Sequence, residues 1–196
     1  MKMTRRGFLN ISTAAAVVCA ATLLPVEKAA AAQQTMAAQE LLEQAYLYAF
    51  PLVLMDATRK VSTNTETPND TRAPINQFIH AKKLADAASR AVVTPNVDTI
   101  YTQAFLDVSA EPMLYGVPQT DRFFNVQVLD AWTNTVAVLE APGLYAITRS
   151  DWQGKLPEGV QRINVPTNMV WTIARIVLSG QEDLPNVRAI QDRMQL

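Results

Sequence analysis

Apolar residues recur at positions 38, 41, 42, 45, 48, 49 and 52, with Gln39, Glu40, Glu43 and Gln44 between them. That is helix spacing, with the polar residues on the other side. Pro51 interrupts it and predicts an end or a kink near Phe50, with Leu52 to Met55 as a second helical piece. Residues 62–74 are Ser, Thr, Asn, Asp and Pro almost throughout and read as an exposed loop. A short helix is predicted around Ala81 to Ser89. Beyond Pro95 the period changes. Runs of five to ten β-prone residues follow one another: Ile100 to Val108, Met113 to Val117, Arg122 to Ala131, Val136 to Ala141, Leu144 to Arg149, Val160 to Val165 and Met169 to Leu178. Breaks rich in Pro, Gly, Asn and Asp separate them. Such a series predicts a mainly β fold with flanking helices, an antiparallel β-sandwich. From Gly180 onward, Leu184, Val187, Ile190 and Met194 are spaced as a closing helix, with Pro185 suited to its first turn.

The first 32 residues read as an export leader. Lys2, Arg5 and Arg6 precede an apolar stretch from Ile11 to Leu24, and the small residues Ala29 to Ala32 follow. This is the charged, apolar, cleavable plan of a signal peptide. The arginine pair followed by Phe8-Leu9 points to the twin-arginine route, and so to the twin-arginine translocase as a transient partner. The apolar stretch is 14 residues, against the roughly 20 that a bilayer span needs, so no stable membrane anchor is expected. The expected location is periplasmic or secreted. The remaining chain then divides into a helical segment (33–61), a loop with a short helix (62–95) and the sandwich body (96–196), all within one domain.

Removing the leader changes the chemistry available. Cys19, the only cysteine, lies in it; disulfides and cysteine chemistry leave with it. The leader carries four basic residues and one acidic residue, which moves the net charge from −1 for the whole chain to −4 for residues 33–196. A mildly acidic chain with scattered charges carries no footprint for nucleic acid. One histidine and no mature cysteine leave a zinc site or a histidine-based triad without partners. No cofactor and no metal are expected. His80 follows Phe78 and Ile79, so a packed, hydrogen-bonded role is expected for it.

Chemistry is concentrated in a few polar positions. Asn96-Val97-Asp98 with Tyr101 stands ahead of a strand, where Asn and Asp commonly bond nearby backbone; the other reading makes Asp98 a carboxylate at a sandwich rim. Asp130 is in phase with Phe124, Val126 and Val128, and Arg175 is in phase with Met169, Trp171 and Ile173. Both phases mark the core side, so each charge must be paired or face an opening. An Asp130–Arg175 pair, with Asp98 within reach, satisfies that condition either as a buried structural pair or as part of a site. Trp132 and Trp171 are either core residues or walls of a cleft for a sugar or ring. Three readings of function remain. The first is a β-sandwich module that binds a small or carbohydrate-like ligand or a partner β-domain. The second is an enzyme, or half of one, using Asp98 and Asp130 as paired carboxylates. The third is a truncated copy of a two-domain protein.

The segments AYLYAFPLV, NQFIHAKKLAD, VVTPNVDTIYTQAFLDVSAEP, DAWTN, PTNMVWTIAR and EDLPNVRAIQ together resemble Domain of Unknown Function 1254 from about Leu41 to Gln191. The resemblance implies a sandwich of jelly-roll type followed by a second β-rich domain, in bacterial and often exported proteins, and it implies no settled activity. This chain departs from that pattern in two respects. It reaches Leu196 where the second domain is expected to begin, which makes a separate C-terminal β-domain protein an expected partner. Its Thr133 to Gly143 stretch is shorter than the family's glycine-containing hairpin, which alters a rim loop.

Overall fold

The computed structural model describes residues 35–90 and 94–196. The leader, with Arg5, Arg6, Cys19 and the cleavage region, lies outside the described residues. The chain divides into two units, residues 1–50 and 51–196. In the first unit residues 35–50 are helical. In the second unit residues 51–62 are helical, a longer piece than the Leu52 to Met55 expected beyond Pro51. Met55 is buried there, and the Asp56 carboxylate holds Arg59 and Lys60, each at 2.7 Å, one turn on. Such (i, i+3) and (i, i+4) pairs stabilise a helix after a proline that lacks its own N–H. No helix among the described residues is long and apolar enough to cross a membrane.

The second unit is mainly β. Its strands are β1 (Ile79–His80), β2 (Thr99–Asp107), β3 (Met113–Val117), β4 (Phe124–Leu129), β5 (Thr135–Leu139), β6 (Gly143–Arg149), β7 (Val160–Val165) and β8 (Met169–Val177). They form a five-stranded sheet in the order β1-β2-β8-β4-β5 and a three-stranded sheet in the order β3-β6-β7. Inward residues of both sheets build one core: Ile100, Ala104 and Leu106 of β2, Val126 and Val128 of β4, Val170, Ala174 and Ile176 of β8, against Tyr115, Tyr145, Ile147 and Val165. Period-two alternation in each strand places them there. Seven of the eight strands coincide with the apolar runs of the sequence, and the two-residue β1 is too short to register as one.

One pairing departs from the expected antiparallel plan. β6 and β7 run parallel, with Leu144 opposite Val160 and Arg149 opposite Val165. A parallel pair needs a connection long enough to travel back along the strand. Residues 150–159 supply it, since ten residues reach roughly 33 Å at most and β6 spans about 23 Å. The short helix expected at 81–89 also does not form. Asp86 there accepts from Ala88 N–H at 2.9 Å and bonds the Ser89 hydroxyl at 3.2 Å. Such local bonds offer the backbone an alternative to the helix.

A 3₁₀ turn (Gln181–Asp183) leads into the helix Leu184–Gln191. Leu184, Val187 and Ile190, with Met194 beyond, join the core. Arg122 holds this end down. It donates to the Val177 carbonyl at 2.9 Å and makes a two-pronged pair with Asp183 at 2.5 and 2.9 Å. Gln195 then pairs with Gly116 of β3 through two backbone bonds, 2.9 and 3.2 Å.

Candidate functional site

The five-stranded sheet has two faces, and β2 and β8 run through its centre. Their outward residues are Tyr101, Gln103 and Phe105 on β2 and Trp171, Ile173 and Arg175 on β8, facing each other as Tyr101–Arg175, Gln103–Ile173 and Phe105–Trp171. These six form a patch on the side of the sheet away from the shared core. Trp171 stacks on Phe105, ring centroids 5.3 Å apart and planes 9° apart, and its indole N–H donates to Gln103 Oε1 at 3.2 Å. Arg175 lies over the Tyr101 ring, 5.8 Å from its centroid. Residues 70–71, 81–85, 89 and 94–95 wall this floor and enclose a cleft of about 430 Å³.

Short-range polar chemistry holds the walls. Asn69 Oδ1 accepts from the backbone N–H of Thr71 and Arg72, both at 2.9 Å, and so turns the loop at 69–72. Asp86 turns the segment 86–89 as described above. Asn96 Oδ1 accepts from Asp98 N–H at 2.6 Å and Thr99 N–H at 3.0 Å, a side-chain turn that starts β2. The Asn96 N–H donates to the Tyr101 hydroxyl at 3.0 Å, which fixes the ring on which Arg175 rests. Asn96 is therefore a positioning residue for this cleft, and Tyr101 and Trp171 are parts of its floor.

The other sequence candidates lie elsewhere. Asp130 is buried at 3 % exposure, but as the organiser of the β4–β5 hairpin. Its carboxylate accepts from the N–H groups of Trp132 and Asn134, both at 2.9 Å, and from Asn134 Nδ2 at 3.0 Å. Its lone pairs are thus satisfied locally, and it needs no arginine. Arg175 faces Asn125 across β4, whereas Leu129, the residue before Asp130, faces Trp171. Four residues of β8, roughly 13 Å, separate the two positions, and Arg175 sits on the outer face while β4's in-phase residues face the core. The expected Asp130–Arg175 pair does not form. Asp98 is exposed at the far end of β8, its carbonyl accepting from Leu178 N–H, while the Asp130 end is marked by Ala131 N–H bonded to Thr167, just before β8 begins. The length of β8 between them is roughly 26 Å, beyond the ~10 Å over which two carboxyl groups share a reaction. This placement does not bring Asp98 and Asp130 together as a carboxylate pair. Trp132 belongs to the hairpin and is not among the described residues lining the cleft.

His80 is half-buried. Its Nδ1 lies 2.9 Å from the Thr102 hydroxyl, and Phe78 packs beside it with ring centroids 5.2 Å apart. Thr102 Oγ1 also accepts from Gln191 Nε2 at 3.0 Å, so the same hydroxyl joins His80 to the closing helix. Burial holds the imidazole below its ordinary pKa, with Asp192 pulling weakly the other way. This is the packed, hydrogen-bonded histidine that its apolar neighbours in the chain suggest.

Gln103 and Ile173 are cleft residues that the sequence reading did not single out. Their signal was the same alternation that marks Tyr101 and Trp171, two positions along each strand.

No curated protein matches the chain. In fold it is similar to the VPA0106 protein of Vibrio parahaemolyticus, known from a crystal structure, with a TM-score of 0.64 and 24% identity. The match covers 80% of this chain and 37% of that one, so this chain spans well under half the length of that relative. At that identity the likeness is one of fold alone. Residues 75–196 match the family described as "Protein of unknown function (DUF1254)". That match takes in every strand, the closing helix and the whole floor of the cleft, and the chain belongs to the DUF1254 family.

Proposed function

We propose that this protein is an exported binding module that holds a small, ring-bearing or carbohydrate-like ligand in the cleft on the outer face of its five-stranded sheet. The observation that carries the reading is the convergence of Tyr101, Gln103, Trp171, Ile173 and Arg175 around about 430 Å³ of open space. A concave, largely apolar site with a few oriented polar groups is the usual form of a small-molecule site. Aromatic side chains supply flat area, and Gln103 and Arg175 supply direction. Export rests on the leader plan of Arg5, Arg6, Phe8 and Leu9 and the apolar run that follows.

Two experiments test this. Titration of ¹⁵N-labelled protein with monosaccharides and small aromatic compounds should shift the Trp171 indole N–H, assigned with Trp171→Phe, and leave the Trp132 signal in place. A panel in which nothing moves Trp171 counts against the cleft. Replacing Arg5 and Arg6 by Lys should leave precursor in the cytoplasm; an unchanged mature product in the envelope fraction counts against the twin-arginine route.

A further inference from the structure

We infer that the ligand is a monoanion, a planar ring compound bearing one carboxylate that Arg175 receives. This rests on reading the cleft as a binding site and adds the chemical class of what it holds. Among the described residues, four arginines are shielded to an intermediate degree: Arg59, Arg122, Arg149 and Arg175. Arg59 holds Asp56, Arg122 holds Asp183 and Arg149 holds Asp151. Arg175 differs, because no carboxylate of the described residues lies within 4.0 Å of it. Its guanidinium is instead laid over the Tyr101 ring, itself fixed by the Asn96 N–H. A partly desolvated guanidinium with its stem and plane already positioned is poised for a planar, two-oxygen acceptor.

The surroundings limit the rest of the ligand. Trp171 and Ile173 continue the floor from Arg175, and four residues of strand make that floor roughly 13 Å long. A carboxylate at the Arg175 end therefore leaves room for two fused rings toward Trp171. Lys82 and Lys83 also line the cleft and, like Asp70, are exposed; Lys83 is paired with Asp86. Asp70 is the acid on the wall and opposes a second negative charge. Of the charged lining residues Arg175 alone is shielded from solvent, so the shielded part of the cleft offers one guanidinium, which one carboxylate matches.

The test is calorimetric titration with 2-naphthoate and with its neutral counterpart 2-naphthamide. At pH 7 the carboxylate should bind at least about tenfold tighter, and added salt should weaken it alone. Arg175→Met should remove that preference, the carboxylate losing at least about tenfold more affinity than the amide. Arg175→Gln serves as a second variant, and the circular dichroism spectrum of each confirms that it is folded. Equal binding of the two compounds by the unaltered protein overturns the anion inference and leaves the cleft standing. Failure of both to bind, with the Trp171 signal unmoved by either, overturns the cleft reading and this inference with it.

Discussion

Arg175 and Tyr101 are direct cross-strand partners on β8 and β2, and the guanidinium rests 5.8 Å from the centre of the phenol ring. The charge that the strand pattern directs toward Asp130 is thereby placed on the opposite face of the sheet. A double-mutant cycle makes this measurable. Asp130→Ala removes the acceptor of three hairpin bonds and should cost about 2 kcal/mol. Arg175→Met should cost little. Their effects in urea unfolding should add to within about 0.5 kcal/mol. A coupling of more than about 1 kcal/mol would mean that the two charges feel each other.

Seven of the eight strands and the closing helix were legible because each of those strands carries a clear run of β-prone residues between turn residues. The facing of β8 was not. Its inward residues Val170, Thr172, Ala174 and Ile176 are no more apolar than its outward residues Met169, Trp171 and Ile173. A central strand covered on both sides has no polar face, so alternation gives the grouping and not the direction. Arg175 was accordingly grouped correctly and turned the wrong way. Asp130 escaped for another reason. It lies one residue past β4, where the chain is already turning, and strand phase no longer governs a side chain that bonds its own hairpin. The β6–β7 parallel pair was hidden because a ten-residue break reads alike whether it folds back as a hairpin loop or travels along the strand.

The single histidine gives a clean pH probe. Burial of His80 favours the neutral imidazole. The unfolded chain therefore binds more protons than the folded one as pH falls through about 6.5. The contribution of His80 to stability is complete above that value and is lost progressively below it. Proton NMR of the untagged protein should show one imidazole titrating with a midpoint below 6.5. A midpoint at or above 6.5 would mean that the ring is solvated or paired with an acid.

With the other lowered carboxyls Asp56, Asp86, Asp107 and Asp151, Asp183 contributes to the acid limit. Arg122 above all, then the Ser179 N–H and Asn186, hold its carboxyl far below the ordinary carboxylate range. Its folded-state pKa is depressed, so its contribution is present above the unfolded value near 4 and disappears as pH falls below it. The urea midpoint should decline below about pH 4. Asp183→Asn should start lower at neutral pH and flatten that decline. A variant whose acid decline is as steep as that of the unaltered protein would remove Asp183 from the account.

Thr133 offers a gain of stability. Its N–H bonds the Asp130 carbonyl at 3.0 Å, closing a turn, and the next residue returns the chain to β5. That geometry needs a left-handed residue after the turn, and Thr133 takes it with φ of 66°. For a β-branched side chain this conformation costs roughly 1–2 kcal/mol, whereas Asn enters it readily. Thr133 recovers part of the cost through its hydroxyl, which donates to the Trp132 carbonyl at 2.6 Å. Thr133→Asn should therefore stabilise by about 0.5–1 kcal/mol, raising Tm by roughly 1–4 °C. Thr133→Val keeps the branch and loses the hydroxyl, so it should destabilise. The order Asn above Thr above Val in thermal unfolding tests the left-handed conformation directly. If Val unfolds at the same temperature as Asn, the residue is not in that conformation, and the local satisfaction of Asp130 would need another explanation.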